Sequence, residues 1–392
     1  MRRIYMDHMA ATPIHPEVLE AMLPYLKEDF GNPLSLHYFG GAPKRALDEA
    51  REKVALLIGA DPKEIIFVSS GTEANNLAIK GVAYAHQKKG KHIISSQIEH
   101  HSVVHSLKSL EKAGFKVTYL PVDKYGLVDP NAVAEAITNE TILVSIVHGN
   151  SEIGTIGPLE EISRITREKG VYLHTDAVAT AGRINIDVGE LGVDALSLAA
   201  SQFYGPKGAA ALYIKKGVRI QPLIDGGIQE DGKRGGIEDV PAIVGMGRAA
   251  EIAKRDLPSN MRHLSGLRGT LIDGLLKGIS RVYLTGHPER RLPGHVSICV
   301  EYIEGESMLL FLNQKGIAAS SGSTCTSRAL KASHVLLAIG VDPAITQGSL
   351  VFSLGKDNTK EDVDYILEVL PPIVQRLREM SPLYEDAIRR PV

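Results

Sequence analysis

Between about residues 50 and 250, short apolar runs alternate with stretches of helical periodicity, and this alternation restricts the fold more than any other feature of the chain. Ile65-Ile-Phe-Val68 reads as a strand, Ser69-Ser-Gly-Thr72 as a tight loop, and Glu73-Ala-Asn-Asn-Leu-Ala-Ile-Lys80 as the opening of a helix. Thr141-Ile-Leu-Val-Ser-Ile-Val147 has the character of a buried strand and runs into a polar loop, His148-Gly-Asn-Ser-Glu-Ile-Gly154. A helix over residues 159–169 stops at Gly170, and Val171-Tyr-Leu-His-Thr175 begins the next strand. Such alternation predicts an α/β core. Beyond about residue 255 the pattern changes to α+β, with a long helix, strands over 296–300 and 350–354, and closing helices. No repeat, low-complexity tract or flexible linker is evident.

A chain of 392 residues is long enough for two domains with cores of their own. Its formal net charge of −2 gives no electrostatic reason to expect nucleic acid or an anionic membrane as a partner. The amino-terminal Met-Arg-Arg-Ile-Tyr-Met-Asp-His lacks the apolar core of a signal peptide, and no apolar run approaches the roughly 20 residues that span a bilayer. With two cysteines, Cys299 and Cys325, neither a disulfide framework nor a CxxC zinc pair is available. A cytoplasmic protein is the expectation.

Four places carry chemistry. Ser70-Gly71-Thr72-Glu73 lies between a strand and a helix, where backbone N–H groups and the helix dipole converge on a spot that suits an anion. Asp176 ends an apolar strand, either to cap a turn or to pair with a protonated ring nitrogen. His101 and His105 share a helical face at i,i+4, but no third metal ligand stands at suitable spacing, so an ordinary helix surface is expected. Cys325 stands in Ala318-Ala-Ser-Ser-Gly-Ser-Thr-Cys-Thr-Ser327, a run of small polar residues that predicts a flexible loop with a reactive thiol. Cys299, inside Val296-Ser-Ile-Cys-Val300, is expected to be a buried small hydrophobe.

The stretch Ala195-Leu-Ser-Leu-Ala-Ala-Ser-Gln-Phe-Tyr-Gly-Pro-Lys-Gly208 resembles the cofactor-anchoring segment of the cysteine desulfurases, pyridoxal-phosphate enzymes of the class V aminotransferase group. Similarity runs nearly end to end, through Asp7-His-Met-Ala-Ala-Thr-Pro13, Phe30-Gly-Asn-Pro33, Asn76-Leu-Ala-Ile-Lys-Gly81, Tyr302-Ile-Glu-Gly-Glu-Ser307, Phe352-Ser-Leu-Gly355 and Ser381-Pro-Leu-Tyr384. The resemblance implies the fold type I of pyridoxal-phosphate transferases. That fold has a large α/β domain over 15–255, with a mixed, mostly parallel sheet flanked by helices. A smaller α+β domain, from 1–14 and 256–392, carries the cysteine loop. It also implies a homodimer, and roles for Gly71 and Thr72 at the phosphate, Asp176 at the ring nitrogen, His100 stacked on the ring, and Ser151 and Ser201 beside the cofactor. Cys325 matches the cysteine that takes sulfur as a persulfide.

The same resemblance exposes departures. Where the family reads Ser-x-His-Lys, with the lysine forming the Schiff base, this chain has Ala199, Ala200, Ser201 and Gln202. A carboxamide nitrogen, its lone pair delocalised, is no nucleophile. Lys207 is a separate family residue, five positions further on. The asparagine expected near the cofactor hydroxyl is Ser151 unless Asn150 substitutes, a glutamine becomes Ala179, a threonine becomes Ile237, and the arginine that clamps the substrate carboxylate becomes Val351. The resemblance therefore implies a desulfurase-like protein for iron–sulfur cluster assembly or sulfur transfer. Cys325 would be its persulfide carrier or cluster ligand, a scaffold protein or sulfur acceptor its partner, and its desulfurase activity weak or lost. Two alternatives stand beside it: an active desulfurase using non-covalent pyridoxal phosphate, and an enzyme of this fold with a changed substrate.

Overall fold

The computed structural model describes residues 3–322, 332–382 and 384; Cys325 lies outside them. Its strands are β1 (Ile4–Tyr5), β2 (Ile65–Val68), β3 (His92–Ser96), β4 (Lys116–Leu120), β5 (Thr141–Ser145), β6 (Tyr172–Asp176), β7 (Ala195–Ala199), β8 (Ala210–Ile214), β9 (Val282–Leu284), β10 (His295–Val300), β11 (Ile317–Ala318) and β12 (Ser349–Ser353). Seven form one sheet in the order β2-β8-β7-β6-β5-β3-β4, parallel except for β8, which runs against both neighbours. Strands β3, β5 and β7 are buried over every residue, and β6 over all but Tyr172, as expected for a sheet covered by helices on both faces. The mixed, mostly parallel sheet is that of the type I pyridoxal-phosphate fold.

The two largest of five apolar clusters divide the described chain between them. One gathers side chains between Val18 and Ala253 around the large sheet. The other joins Ile4 and Met6 to residues 264–377 around the small antiparallel sheet β12-β10-β9. The helix Val240–Gly278 runs from the first cluster to the second. It begins well before residue 255, where Asp239 accepts from the Ala242 N–H and Pro241 occupies the first turn. The amino terminus is stitched across both: β1 pairs in parallel with β11, the His8 N–H donates to the Ser353 carbonyl (3.1 Å), and the Thr12 N–H donates to the Ser201 carbonyl (2.9 Å). Among the described residues no helix is long and apolar enough to cross a membrane.

Candidate active site

The carboxyl ends of β2, β3, β5, β6 and β7 open on one side of the large sheet into a cleft of about 540 Å³. Ligands of open α/β sheets bind on that side, because the loops there are free of ladder hydrogen bonding. Each strand delivers one short segment. After β2, Ser70 caps the helix Gly71–His86 by accepting from the Glu73 N–H (3.1 Å). A Cβ on Gly71 would stand 2.6 Å from Val178 Cγ2, so only glycine lets this turn pack against the loop after β6. After β7 the chain makes a 3-10 turn, Ala200–Gln202, and then takes a left-handed conformation at Tyr204 (φ 64°). Thr12 holds Tyr204 there by accepting its N–H (2.8 Å), while the Tyr204 hydroxyl accepts from the Lys356 N–H (2.7 Å).

A buried hydrogen-bond chain runs beneath the cleft. Asp176 accepts from the Val178 N–H (3.0 Å) and from Asn75 Nδ2 (2.7 Å), which also donates to Ser102 Oγ (2.9 Å). Ser102 Oγ lies 2.7 Å from His100 Nδ1, and the Ser102 N–H donates to that same nitrogen (3.2 Å). His100 Nδ1 is therefore an acceptor, and in the neutral ring the proton sits on Nε2. Burial holds the Asp176 carboxyl above the usual aspartate range, with His100 nearby pulling the other way. Glu99 is fully buried, and burial pushes it up to about 8 although its Oε1 accepts from Ser96 Oγ (2.5 Å) and the Val147 N–H (3.0 Å). Burial likewise pushes Glu152 up to about 8, with Ser333 hydrogen-bonded to it.

Gln202 is buried in the wall. Its Nε2 donates to the Met9 carbonyl (3.0 Å) and its Oε1 faces Arg183 Nη2 at 3.4 Å. Arg183 also donates to the His8 carbonyl (2.6 Å), and burial lowers its guanidinium to about 10.

A class-V aminotransferase family model matches residues 4–366. The chain is 54% identical to cysteine desulfurase IscS of Methanosarcina thermophila, over 97% of this chain and 94% of that one, and 51% identical to the IscS of Dictyoglomus turgidum, over 98% of each. Among solved structures it superposes on a NifS-like protein with a TM-score of 0.90 and 40% identity, covering 96% of this chain and all of that one. The chain belongs to the class-V aminotransferases, in their cysteine desulfurase branch.

Pyridoxal phosphate is the cofactor of that family, and the donor set of this class-V aminotransferase cleft fits its two charged ends. The N–H groups opening the helix Gly71–His86 suit a phosphate, with Thr72 exposed beside them. Glu73, the one carboxylate in that turn, is neutralised by Arg234 (3.0 Å) and held below the usual range by its hydrogen bonds with Ser69 and Arg234 against the effect of burial. Asp176, whose buried carboxylate accepts only from the Val178 N–H and the Asn75 amide among the described residues, suits a ring cation. What the cleft lacks, among the described residues, is an amine: no lysine lines it, and Lys207 is exposed in the turn beyond.

The cleft brings together Gly71, Thr72, His100, Ser151, Asp176, Ser201 and Gln202, with Ala179 and Val351 as apolar walls. Asn150 does not stand in for the missing asparagine at a ligand, because its amide is spent on the Ile98 carbonyl (2.8 Å) and the Glu152 and Ile153 N–H groups. His101 is no ordinary surface residue: it lines the cleft, its ring 5.0 Å from His334 and 5.5 Å from His105. No group of three metal-binding side chains forms among the described residues. Cys299 is buried, and burial with the nearby Glu152 carboxyl pushes its thiol up to about 12. Sequence reasoning missed Asn75, Ser102, Glu99, Glu152 and Arg183. The one hint for Glu99 was a carboxylate placed directly between an apolar residue and His100.

Proposed function

We propose that this chain is a sulfur-handling homodimer of the cysteine desulfurase type with weak or lost desulfurase activity. Cys325 serves in it as persulfide carrier or iron–sulfur ligand for a scaffold or another sulfur acceptor. One observation carries the loss of activity: the position where the resemblance puts the anchoring lysine holds the Gln202 carboxamide, hydrogen-bonded to Met9, and no amine lines the cleft among the described residues. The relatives named cysteine desulfurase IscS support the sulfur-handling class. The homodimer is supported by an apolar surface in residues 30–39, where Leu36 is fully exposed and Phe30 and Tyr38 nearly so, with Phe30 stacked on Phe39 at 5.7 Å. Residues 30–39 cover little of the chain's own core.

When bound, pyridoxal phosphate supplies an electron sink for a substrate carbon. Asp176 would hold the charge at the ring-nitrogen end, and the amides after Ser70 would hold the phosphate. His100 offers an N–H at Nε2, and Ser151 and Ser201 offer hydroxyls. Gln202 can neither take nor return a proton, and Val351 gives a substrate carboxylate no guanidinium to align with. A retained cofactor end and a dismantled substrate end lead to slow turnover.

The test is alanine formation from cysteine by the purified protein supplied with pyridoxal phosphate. Little alanine is expected from the native chain, and Gln202→Lys should raise the rate by on the order of 10²-fold, the usual worth of a placed proton carrier. Brisk alanine formation by the native chain, unchanged by Gln202→Lys, would defeat the proposal.

A further inference from the structure

Two distant stretches of chain converge on the carboxyl group of Glu152, in the loop after β5: Gly322 and Ser333. Between them in sequence runs the segment that holds Cys325. On the upstream side, a Cβ on Gly322 would overlap Glu152 Oε1 and stand 2.8 Å from its carboxyl carbon, so the bare glycine backbone is laid directly on the carboxyl group. On the downstream side, Ser333 hydrogen-bonds to the same carboxyl. Ser333 Oγ accepts from the Val335 N–H (3.1 Å) and the Leu336 N–H (3.2 Å) at the start of the helix His334–Ala338. Its hydroxyl proton is thereby left to donate to Glu152.

The remaining ties of the two ends go to different places. Upstream, the Gly322 N–H donates to Ser349 Oγ (3.1 Å), and Ser320 exchanges two backbone hydrogen bonds with Val351 (3.1 and 2.7 Å). Downstream, His334 Nε2 donates to the Glu99 carbonyl (3.0 Å), and Val335, Leu336 and Ile339 join an apolar cluster with Ile98, Val147, Ile153 and Cys299. Glu152 itself is firmly rooted. Its N–H donates to Asn150 Oδ1 (2.9 Å), and the Ser151 carbonyl before it accepts from His295 Nε2 (2.8 Å). Ser151 lines the cleft, so the loop that shapes the cleft also carries the carboxyl on which both ends rest.

We infer that Glu152 is a positioning residue: through one carboxyl group it fastens Gly322 and Ser333 to the cleft loop, and so governs how the Cys325 thiol between them is presented. The inference goes beyond the reading above, since it holds whether or not cysteine is turned over. Burial pushes the Glu152 carboxyl up to about 8, so near neutral pH it is largely uncharged, and a glutamine of the same length retains an acceptor for Ser333.

Amide hydrogen exchange of the purified full-length protein, read at Gly322 and at Val335 and Leu336, tests the fastening. Glu152→Ala should speed exchange on both sides by about fivefold or more, while β10 keeps its protection. Glu152→Gln should stay near the native rates. Should Glu152→Ala fail to fold, Gly322→Ala is the independent arm. Its Cβ displaces the Glu152 carboxyl, so Val335 and Leu336 should exchange faster although nothing on their side has been changed. Alkylation of Cys325 by iodoacetamide should follow the same pattern, with a rate changed at least about threefold by either alanine variant and kept by Glu152→Gln. Loosening confined to one side in Glu152→Ala would overturn the inference, as would native exchange on both. Equal loosening of β10 would overturn it by marking Glu152 as ordinary core. So would Glu152→Gln as loose as Glu152→Ala, or alkylation of Cys325 at one rate in every variant.

Discussion

At the scale of single residues, Asn75 carries more of the site than its place in the sequence suggests. One amide group spans from Asp176 to Ser102, so the carboxylate proposed to meet a ring cation and the histidine proposed to face the ring are set by the same side chain. Asn75→Ala should leave Asp176 buried with one fewer donor, at about 1–3 kcal/mol. Pyridoxal-phosphate affinity, read by absorbance titration, should fall about tenfold or more. Asp176→Asn should weaken it further, because it removes the charge itself. Equal affinity in all three proteins would show that the cofactor's ring nitrogen does not meet Asp176. Strand-end placement and family resemblance were enough to pick out Asp176 and His100, both of which line the cleft. The bond between them was not, because Asn75 is 101 residues from Asp176 and nothing local marks an asparagine as a bridge.

At the scale of elements, local chemistry reads well and long-range register does not. The strand Ile65–Val68 was legible in full from its apolar run, and the helix behind it starts at Gly71 rather than Glu73 because Ser70 is already its cap. The turn Ala200–Gln202 is another matter. Its shape depends on Gly205, where a Cβ would fall 2.7 Å from Ala200 Cβ and 2.9 Å from the Ala200 carbonyl oxygen. Gly205→Ala should therefore push the turn, and with it position 202, out of place, so that the Gln202→Lys gain in alanine formation is lost in the double variant while secondary structure by circular dichroism is kept. A second element-level brace is Glu230, which takes Arg51 in a bidentate pair (2.7 Å each) and the Phe67 N–H (2.8 Å). Glu230→Gln leaves the guanidinium largely buried without its charge partner and should cost about 3 kcal/mol in chemical denaturation. A loss under about 1 kcal/mol would mean that the pair is solvent-screened.

For the whole molecule, buried titratable groups set opposing acid and base limits. His8 and His148 are lowered by burial to about 4, and His174 and His295 to about 3, so each stays neutral in the folded chain. Below the ordinary histidine value near 6.5 the unfolded chain takes up protons that the folded chain refuses, and stability falls as pH falls. Glu99 and Glu152, raised to about 8, act the other way: the folded chain keeps protons that the unfolded chain releases above about 4.5, and stability falls as pH rises toward 8. Asp7 and Asp176, also raised chiefly by burial, add to that second limb. With His86, His92 and His101 also lowered by burial, the histidines outnumber these four carboxyls on the acid side, and the carboxyls act alone on the other, so the melting temperature should peak near pH 6.5. A melting temperature flat from pH 5 to 8 would contradict this balance.

The lacing of the amino terminus has a consequence for biosynthesis. Met6 bonds to Ala318 and Ser353, and the Met9 carbonyl holds Gln202, so a segment translated early docks against a strand translated long after it. Until Ser353 clears the exit tunnel the His8 N–H and the Met6 carbonyl lack their partners. The cleft cannot assume its final shape during translation, however early the large sheet condenses.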